Sequence, residues 1–273
     1  MRTKTLLIAA AVLAVGVASS LAQTTYSQNV VGYINTTIPA NGYAIVGNTL
    51  QNGSDANATN NDINACLGTG MVSQPNDPPS AFNNTVLYYY NGGYFTYYYF
   101  NAADAATWGA TSAGPGFFDA STGDKLNANL SQGQAVFLHN AAGSPITITL
   151  TGNVLQGTNT LPSINNGYQL VSIPQPIATN AAVANYGLPA LTSQPLDPPS
   201  AYNNDVMYLY NGGYFTYYYF NAADAATWGA TAAGPGFFDA STGDPAPNAA
   251  VNQGFFLLHN GSSALWTNKF TVQ

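Results

Sequence analysis

Residues 91–111 read NGGYFTYYYFNAADAATWGAT, and residues 211–231 repeat them without change at an offset of 120 residues. The block opens with a glycine-rich turn between two runs of alternating aromatic residues, which predicts a β-hairpin. Shorter matches surround both copies of the block at the same offset. We therefore predict two copies of one fold unit, in residues 23–145 and 146–273.

The hairpin pattern also predicts which side chains share a face. A three-residue loop at residues 91–93, with Gly93 at positive φ, sends alternate side chains to opposite faces of the sheet. One face carries Val86, Tyr88, Tyr90, Tyr94, Thr96, Tyr98 and Phe100. The other face carries Leu87, Tyr89, Phe95, Tyr97 and Tyr99. Such tyrosine stripes are typical of a half-buried sheet surface, and a ligand platform is the alternative interpretation.

Hydrophobic residues recur with a period of two along most of the repeat, which predicts strands. In the first repeat these strands cover residues 30–38, 43–49, 86–91, 94–100, 134–139 and 146–154. Short helices are predicted at residues 60–67, 101–108 and 180–186. The predicted fold is all-β, with two pseudo-equivalent repeats that form sandwich-like or barrel-like sheets and share a strand near residue 150.

The N-terminus has the features of an export signal. Arg2 and Lys4 precede an apolar run over residues 6–17, and small residues follow at 18–22. This pattern predicts a cleaved signal peptide at residues 1–22 and a secreted or extracellular protein. No later apolar run approaches the length of a membrane span, so we predict no membrane insertion.

The charge balance excludes several classes of partner. After residue 22 the basic side chains are Lys125 and Lys269 against eleven aspartates, a formal net charge of −9. Nucleic acids and anionic membranes are bound by clustered Lys and Arg, so neither is an expected partner. The low charge fits a matrix protein that packs against copies of itself, and it fits a simple secreted acidic domain equally well.

Few side chains are suited to catalysis. His139 and His259 each end an apolar strand and precede an asparagine, at positions that the repeat makes equivalent. This placement predicts hydrogen-bonded structural histidines. Cys66 is the one cysteine and lies in an apolar-flanked run, which predicts a buried thiol. We therefore predict no catalytic residue and no enzymatic activity.

Calcium is the one candidate cofactor. Asp119 and Asp124 recur as Asp239 and Asp244, in loops that read DASTGD. Carboxylate and carbonyl oxygens are the ligands that calcium prefers. The interpretation that we favour needs no cofactor, because an aspartate in this position caps the backbone of the following turn.

Several short motifs resemble those of a known group of secreted proteins. They are Val30-Val31-Gly32-Tyr33-Ile34, Pro39, Gly42-Tyr43, the tyrosine-rich hairpin, Trp108, Gln132-Gly133 before Phe137, and TITLTG at residues 147–152. Over nearly all of residues 23–273 the chain resembles secreted bacterial β-repeat proteins of uncharacterised function, which some environmental bacteria encode in many copies. The resemblance implies export and a β-rich repeat fold, and it implies no particular activity.

The function that we favour from the sequence is a structural or adhesive protein of the cell exterior that associates with itself. A shared strand at residues 146–154 would leave the first and last strands without a neighbouring repeat. These terminal strands contain Val30, Val31, Tyr33, Ile34, Phe270 and Val272. They would pair with each other within one chain, or between chains in a head-to-tail fibre.

The alternative function is a carbohydrate-binding module whose partner is a polysaccharide. The candidate sugar-stacking residues are Trp108, Trp228, Tyr98 and Tyr218. Asparagine and aspartate side chains would then bind the sugar hydroxyls. Packing of Trp108 onto the sheet explains its place in the sequence equally simply.

Overall fold

The computed structural model describes residues 30–51, 61–177 and 187–271. The first repeat contains β1 (Val30–Ile38), β2 (Tyr43–Gly47), β3 (Val86–Tyr90), β4 (Tyr94–Phe100), β5 (Gly116–Asp119), β6 (Ala135–His139) and β7 (Ile146–Val154). The second contains β8 (Gly157–Ile164), β9 (Gly167–Ser172), β10 (Val206–Tyr210), β11 (Tyr214–Phe220), β12 (Gly236–Asp239), β13 (Gly254–His259) and β14 (Ala264–Phe270). The helices are α1 (Ile63–Leu67), α2 (Ala102–Trp108) and α3 (Ala222–Trp228). The predicted signal peptide and the predicted helix at residues 180–186 lie outside the described residues.

Each repeat folds into a five-stranded sheet and a two-stranded ribbon. The sheets have the orders β2-β6-β3-β4-β5 and β9-β13-β10-β11-β12, and the ribbons are β1-β7 and β8-β14. In the second repeat Leu161, Ile164 and Trp266 of the ribbon pack with Met207 and Leu257 of the sheet in one buried core. The prediction of an all-β fold with two pseudo-equivalent, sandwich-like repeats is therefore confirmed.

The hairpin register also agrees with the prediction. Tyr90 pairs with Tyr94 and Val86 pairs with Tyr98, so the two predicted sets of side chains lie on opposite faces. The turn differs in one detail, because Gly92 rather than Gly93 has a positive φ, of 71°. Glycine at this point turns the chain without the steric cost that a side chain would add.

The terminal strands have partners inside their own repeats. β1 pairs with β7 and β14 pairs with β8, so within the described ranges the repeats share no strand and the terminal strands do not pair with each other. The predictions of a shared strand and of pairing between the terminal strands within one chain were therefore wrong, whereas their pairing between chains stays a prediction. Gly32 on β1 and Gly152 on β7 let these two strands approach residues 50 and 51 closely, because a Cβ at either position would meet Leu50 or Gln51.

The two repeats meet in a reciprocal seam. Gly47 N–H donates to the Asn252 carbonyl at 2.8 Å, and Ser172 N–H donates to the Gly133 carbonyl at 2.8 Å. Gly47 and Ser172 hold equivalent places on β2 and β9, so the contacts have the exchange symmetry of an isologous dimer. A Cβ at Gly47 would overlap the Ser172 side chain. From Val31 onward the described residues form one compact unit, so the two repeats pack together as one body.

One strand is displaced relative to its counterpart. Val86 pairs with His139 in the first sheet, whereas the equivalent Val206 pairs with Leu258 in the second. His259 therefore lies one position further along the strand than His139 does. A one-residue shift turns every side chain to the opposite face. The prediction that the two histidines are equivalent was consequently wrong.

Candidate binding site between the two sheets

Facing sides of the two sheets carry a group of aromatic side chains, which we call the aromatic patch. It consists of Tyr43, Tyr88, Tyr90, Tyr94, Phe137, Tyr168, Tyr208, Tyr210, Tyr214 and Phe256. Each hairpin tip contacts the sheet of the other repeat. The ring centroids of Tyr94 and Phe256 lie 6.0 Å apart, and those of Tyr214 and Phe137 lie 6.3 Å apart. The period of two in the hairpins produces this arrangement, because it sends alternate tyrosines to the facing sides.

Part of the patch opens as a cavity. Its volume is about 250 Å³, and it is lined by Tyr94, Tyr168, Tyr208, Tyr214 and Phe256. Tyr94 is 60% exposed, Tyr214 51% and Tyr168 46%. Among the described residues, no charged side chain lines the cavity. Exposed aromatic faces of this kind combine an apolar surface with a hydroxyl that hydrogen-bonds.

Burial keeps several tyrosine hydroxyls of the patch neutral well above physiological pH. Burial raises the pKa of Tyr88 to about 12, and the neighbouring Tyr43 hydroxyl adds to the shift. Burial also raises the pKa of Tyr214 to about 12. The pKa of Tyr208 is raised by burial and by a hydrogen bond with Tyr168. The patch therefore offers hydroxyls and aromatic faces without charge, which suits an uncharged polar ligand.

The predicted sugar-stacking residues lie elsewhere. They are Trp108, Trp228, Tyr98 and Tyr218, and in each repeat the tryptophan and the tyrosine pack against the same small buried cluster. Trp108 stacks on the buried Phe100, with ring centroids 4.5 Å apart and an interplanar angle of 9°, and Trp228 has the same geometry. One face of each indole is thus covered by phenylalanine. The structure does not bring the four residues together, and their role in sugar binding stays a prediction.

The candidate calcium loops are hydrogen-bonded turns. One carboxylate oxygen of Asp119 accepts bonds from the Ser121 N–H at 2.7 Å and the Thr122 N–H at 3.2 Å. A hydrogen bond from the Ser121 hydroxyl, together with these backbone hydrogen bonds, lowers the pKa of Asp119. Asp124 accepts a bond from Thr111, and Asp239 and Asp244 repeat the arrangement. No group of three or more His, Cys, Asp or Glu side chains that could hold a metal ion occurs in the described part of the chain.

The predicted self-association residues lie mostly on the first ribbon. Val30, Val31, Tyr33 and Ile34 belong to β1 and Phe270 belongs to β14, while Val272 lies outside the described residues. Val31 is 56% exposed and Tyr33 is 75% exposed, whereas Ile34 is buried. The outward side of β1 therefore presents apolar side chains to solvent.

Sequence reasoning missed a buried acid and base pair. His259 Nδ1 lies 2.6 Å from an Asp205 carboxylate oxygen, and its Nε2 lies 3.1 Å from the Ser262 carbonyl. Both side chains of the pair are fully buried, so the pair does not face a cavity open to substrate. His139 instead packs against Tyr43, with ring centroids 4.4 Å apart, and burial lowers the pKa of His139. The difference between Thr85 and Asp205 in the two copies was the one sequence feature that pointed to the pair.

Comparison with known proteins identifies no relative. No protein-family model, no curated protein and no solved structure matches the chain. Within the described residues, no helix is long and apolar enough to cross a membrane.

Cys66 lies on α1 and is buried, as its sequence context predicts.

Proposed function

We propose that the protein is an exported, non-enzymatic protein of the cell exterior that binds neutral polysaccharide on its aromatic patch, in a structural or adhesive role. The observation that carries the proposal is the uncharged cavity of about 250 Å³ beneath the exposed rings of Tyr94 and Tyr214. Sugar rings have apolar faces that stack on aromatic side chains, and their hydroxyls pair with tyrosine hydroxyls. The predicted signal peptide supports an exterior location, and the net charge of −9 disfavours an anionic ligand.

Removal of the two exposed rings tests the proposal. The Tyr94→Ala/Tyr214→Ala double variant should lower the affinity roughly thirtyfold, because each stacking ring contributes about 1 kcal/mol. The measurement is retardation in native gels that contain dextran, galactomannan or mixed-linkage β-glucan, with polygalacturonate as the anionic control.

A matched control removes equally exposed rings from a different surface. Phe82 is 90% exposed and Tyr202 is 93% exposed, and neither belongs to the patch. The Phe82→Ala/Tyr202→Ala double variant should retain the affinity of the unaltered chain. Retardation that survives loss of Tyr94 and Tyr214 but disappears with Trp108→Ala/Trp228→Ala would move the site to the tryptophans. Absence of retardation in all three neutral gels would contradict the proposed function.

Self-association through β1 is a second candidate function, and the first ribbon favours it. β1 and β7 contain neither proline nor a charged residue, whereas the second ribbon has Pro162 in β8 and Lys269 in β14. Proline and lysine protect exposed strand edges against pairing with another chain. Among the described residues β1 pairs with β7 alone, so its other edge has no neighbouring strand.

Light scattering coupled to size exclusion tests this second function. The exported chain should form oligomers through β1, and Tyr33→Lys should return it to the monomer by placing a charge beside the edge. Leu265→Lys is the matched control, because Leu265 is 61% exposed on the second ribbon. A monomer at every concentration, with or without calcium, would rule out self-assembly.

A further inference from the structure

Two clefts flank the aromatic patch, and each forms where the hairpin tip of one repeat meets the other repeat. The first cleft has a volume of about 420 Å³ and lies between Asn91, at the tip of the β3–β4 hairpin, and strands β8 and β9. The second has a volume of about 370 Å³ and lies between Asn211, at the tip of the β10–β11 hairpin, and strands β1 and β2. Both volumes lie in the range of small-ligand sites.

The clefts are equivalent through the internal duplication. Asn91 corresponds to Asn211, and Tyr168 in the first cleft corresponds to Tyr43 in the second. Each cleft combines the hairpin of one repeat with the edge strand of the other. The reciprocal seam between the repeats therefore creates the same kind of site twice. Tyr168 and Tyr43 also belong to the aromatic patch, so each cleft adjoins the proposed binding surface.

The chemistry of both clefts suits uncharged saccharides. Their amide side chains include Asn91, Asn165 and Gln169 in the first, and Asn35, Asn211 and Gln253 in the second. No charged side chain lines either cleft in the part of the chain that the structure describes. An amide carries donors and an acceptor together, which matches the hydroxyls of a sugar. Anionic ligands are instead held by arginine and lysine.

We propose that the two clefts are paired saccharide-binding sites, so that one molecule holds two segments of neutral glycan and cross-links them. The inference rests on the proposed function, because each site consists of one cleft together with the adjoining rings of the aromatic patch, and it adds the number and position of the sites. Linking two weak sites in one molecule raises the overall affinity for a polymer by about 10²- to 10⁴-fold. Such a molecule would act as a cross-linker of a polysaccharide matrix.

Blocking one cleft at a time tests the inference. Asn91 and Asn211 are exposed on turns, so Asn91→Trp and Asn211→Trp should fill the first and second cleft without disturbing the core. Titration calorimetry with hexasaccharides of dextran, galactomannan and mixed-linkage β-glucan should give two sites per chain before substitution. Either single variant should retain one site, and the double variant should retain none. Turbidity with the intact polysaccharide should disappear in each single variant, because one site is unable to cross-link.

Matched controls carry the same new side chain elsewhere. Ala113 and Ala233 are exposed, equivalent positions outside both clefts, and Ala113→Trp and Ala233→Trp should keep two sites. A single site in the unaltered chain, or two sites in both blocked variants, would overturn the inference. If that single site is lost with Tyr94→Ala/Tyr214→Ala, the proposed function stands without the paired clefts. Absence of hexasaccharide binding would overturn the inference, and gel retardation would decide the proposed function separately.

Discussion

At the scale of single residues, two buried asparagines hold the proline-rich loops in place. The Asn84 amide donates to the carbonyls of Gln74 and Tyr99, at 3.1 and 3.0 Å. Asn204 makes the equivalent bonds in the second repeat, at 3.0 and 2.9 Å. Each side chain thus satisfies two backbone carbonyls in the loop and on the sheet. The bonds connect a long loop to the core, where no regular secondary structure does so.

Loss of the Asn84 side chain should lower the stability of the folded protein. We expect Asn84→Ala to lower the free energy of unfolding by about 2–3 kcal/mol, because two carbonyls lose their donor in a buried place. Urea denaturation followed by circular dichroism measures the change. Asn83→Ala is the control, with an expected change within about 0.5 kcal/mol. Equal effects of the two substitutions would show that the bonds contribute nothing to stability.

The tyrosines of the patch predict the behaviour of the protein in alkali. The pKa of Tyr88 and that of Tyr214 are raised to about 12 in the folded state, against about 10 for a tyrosine in an unfolded chain. The folded state then binds more protons between these values, so stability should fall as the pH rises from about 10 towards 12. Below pH 10 these two tyrosines should not make stability depend on pH.

Ultraviolet titration of tyrosinate checks this prediction directly. Tyr88→Phe and Tyr214→Phe should each remove one late-titrating group from the curve. Titration of both groups at the value of free tyrosine would contradict the raised pKa values of Tyr88 and Tyr214.

At the scale of elements, the displaced strand β13 gives the second repeat a pair that the first repeat lacks. Asp205 and His259 stand where the first repeat has Thr85 and Asn140. Both members are fully buried, so removal of one leaves a buried polar group without its partner.

A double-mutant cycle tests this pair. Asp205→Thr alone should destabilise the protein by about 3–5 kcal/mol, since it removes one member of a buried pair. The Asp205→Thr/His259→Asn double variant restores the residue types of the first repeat and should recover much of that loss. Thermal unfolding of the four proteins in the cycle provides the measurement. Additive effects of the two substitutions would show that the pair is not coupled.

At the scale of the whole molecule, the seam between the repeats depends on small residues. A Cβ at Gly254 would lie 2.5 Å from both the Ala135 Cβ and the Ile45 side chain. A Cβ at Gly47 would likewise overlap the Ser172 side chain. The close approach at the seam brings the hairpin tips onto the opposite sheets, and it therefore creates the aromatic patch and both clefts.

A larger side chain at the seam should separate the repeats. We expect Gly254→Leu to lower the free energy of unfolding by about 1–3 kcal/mol, the usual cost of overpacking. It should also lower polysaccharide affinity, because the tyrosines of the two repeats move apart. Urea denaturation and gel retardation measure the two effects. Gly143→Leu is the control, since a Cβ at Gly143 meets no atom within 4 Å. Unchanged stability and affinity in Gly254→Leu would mean that neither property depends on the close approach of the two repeats at the seam.

Several features of the candidate site were predictable from the sequence. The alternation around Gly92 placed Tyr88, Tyr90 and Tyr94 on one face, and the structure confirms that placement. Their contacts with the second repeat were not predictable, because Tyr94 meets Phe256 across more than 150 residues. Trp108 was chosen as a sugar-stacking residue from its type alone. Its stacking on Phe100 is a contact between a helix and a strand that periodicity does not reveal.

The sequence by itself determined the duplication, most of the strands and the two faces of each hairpin. These features depend on local chemistry: alternate side chains on opposite sides of a strand, glycine in the turn, and asparagine at the start of α2. The tertiary structure alone decided the partners of the terminal strands, the displacement of β13 and the union of the two tyrosine faces. Those features depend on how residues far apart in the chain pack against each other. Steric fit and strand register determine that packing, and no local sequence pattern predicts it.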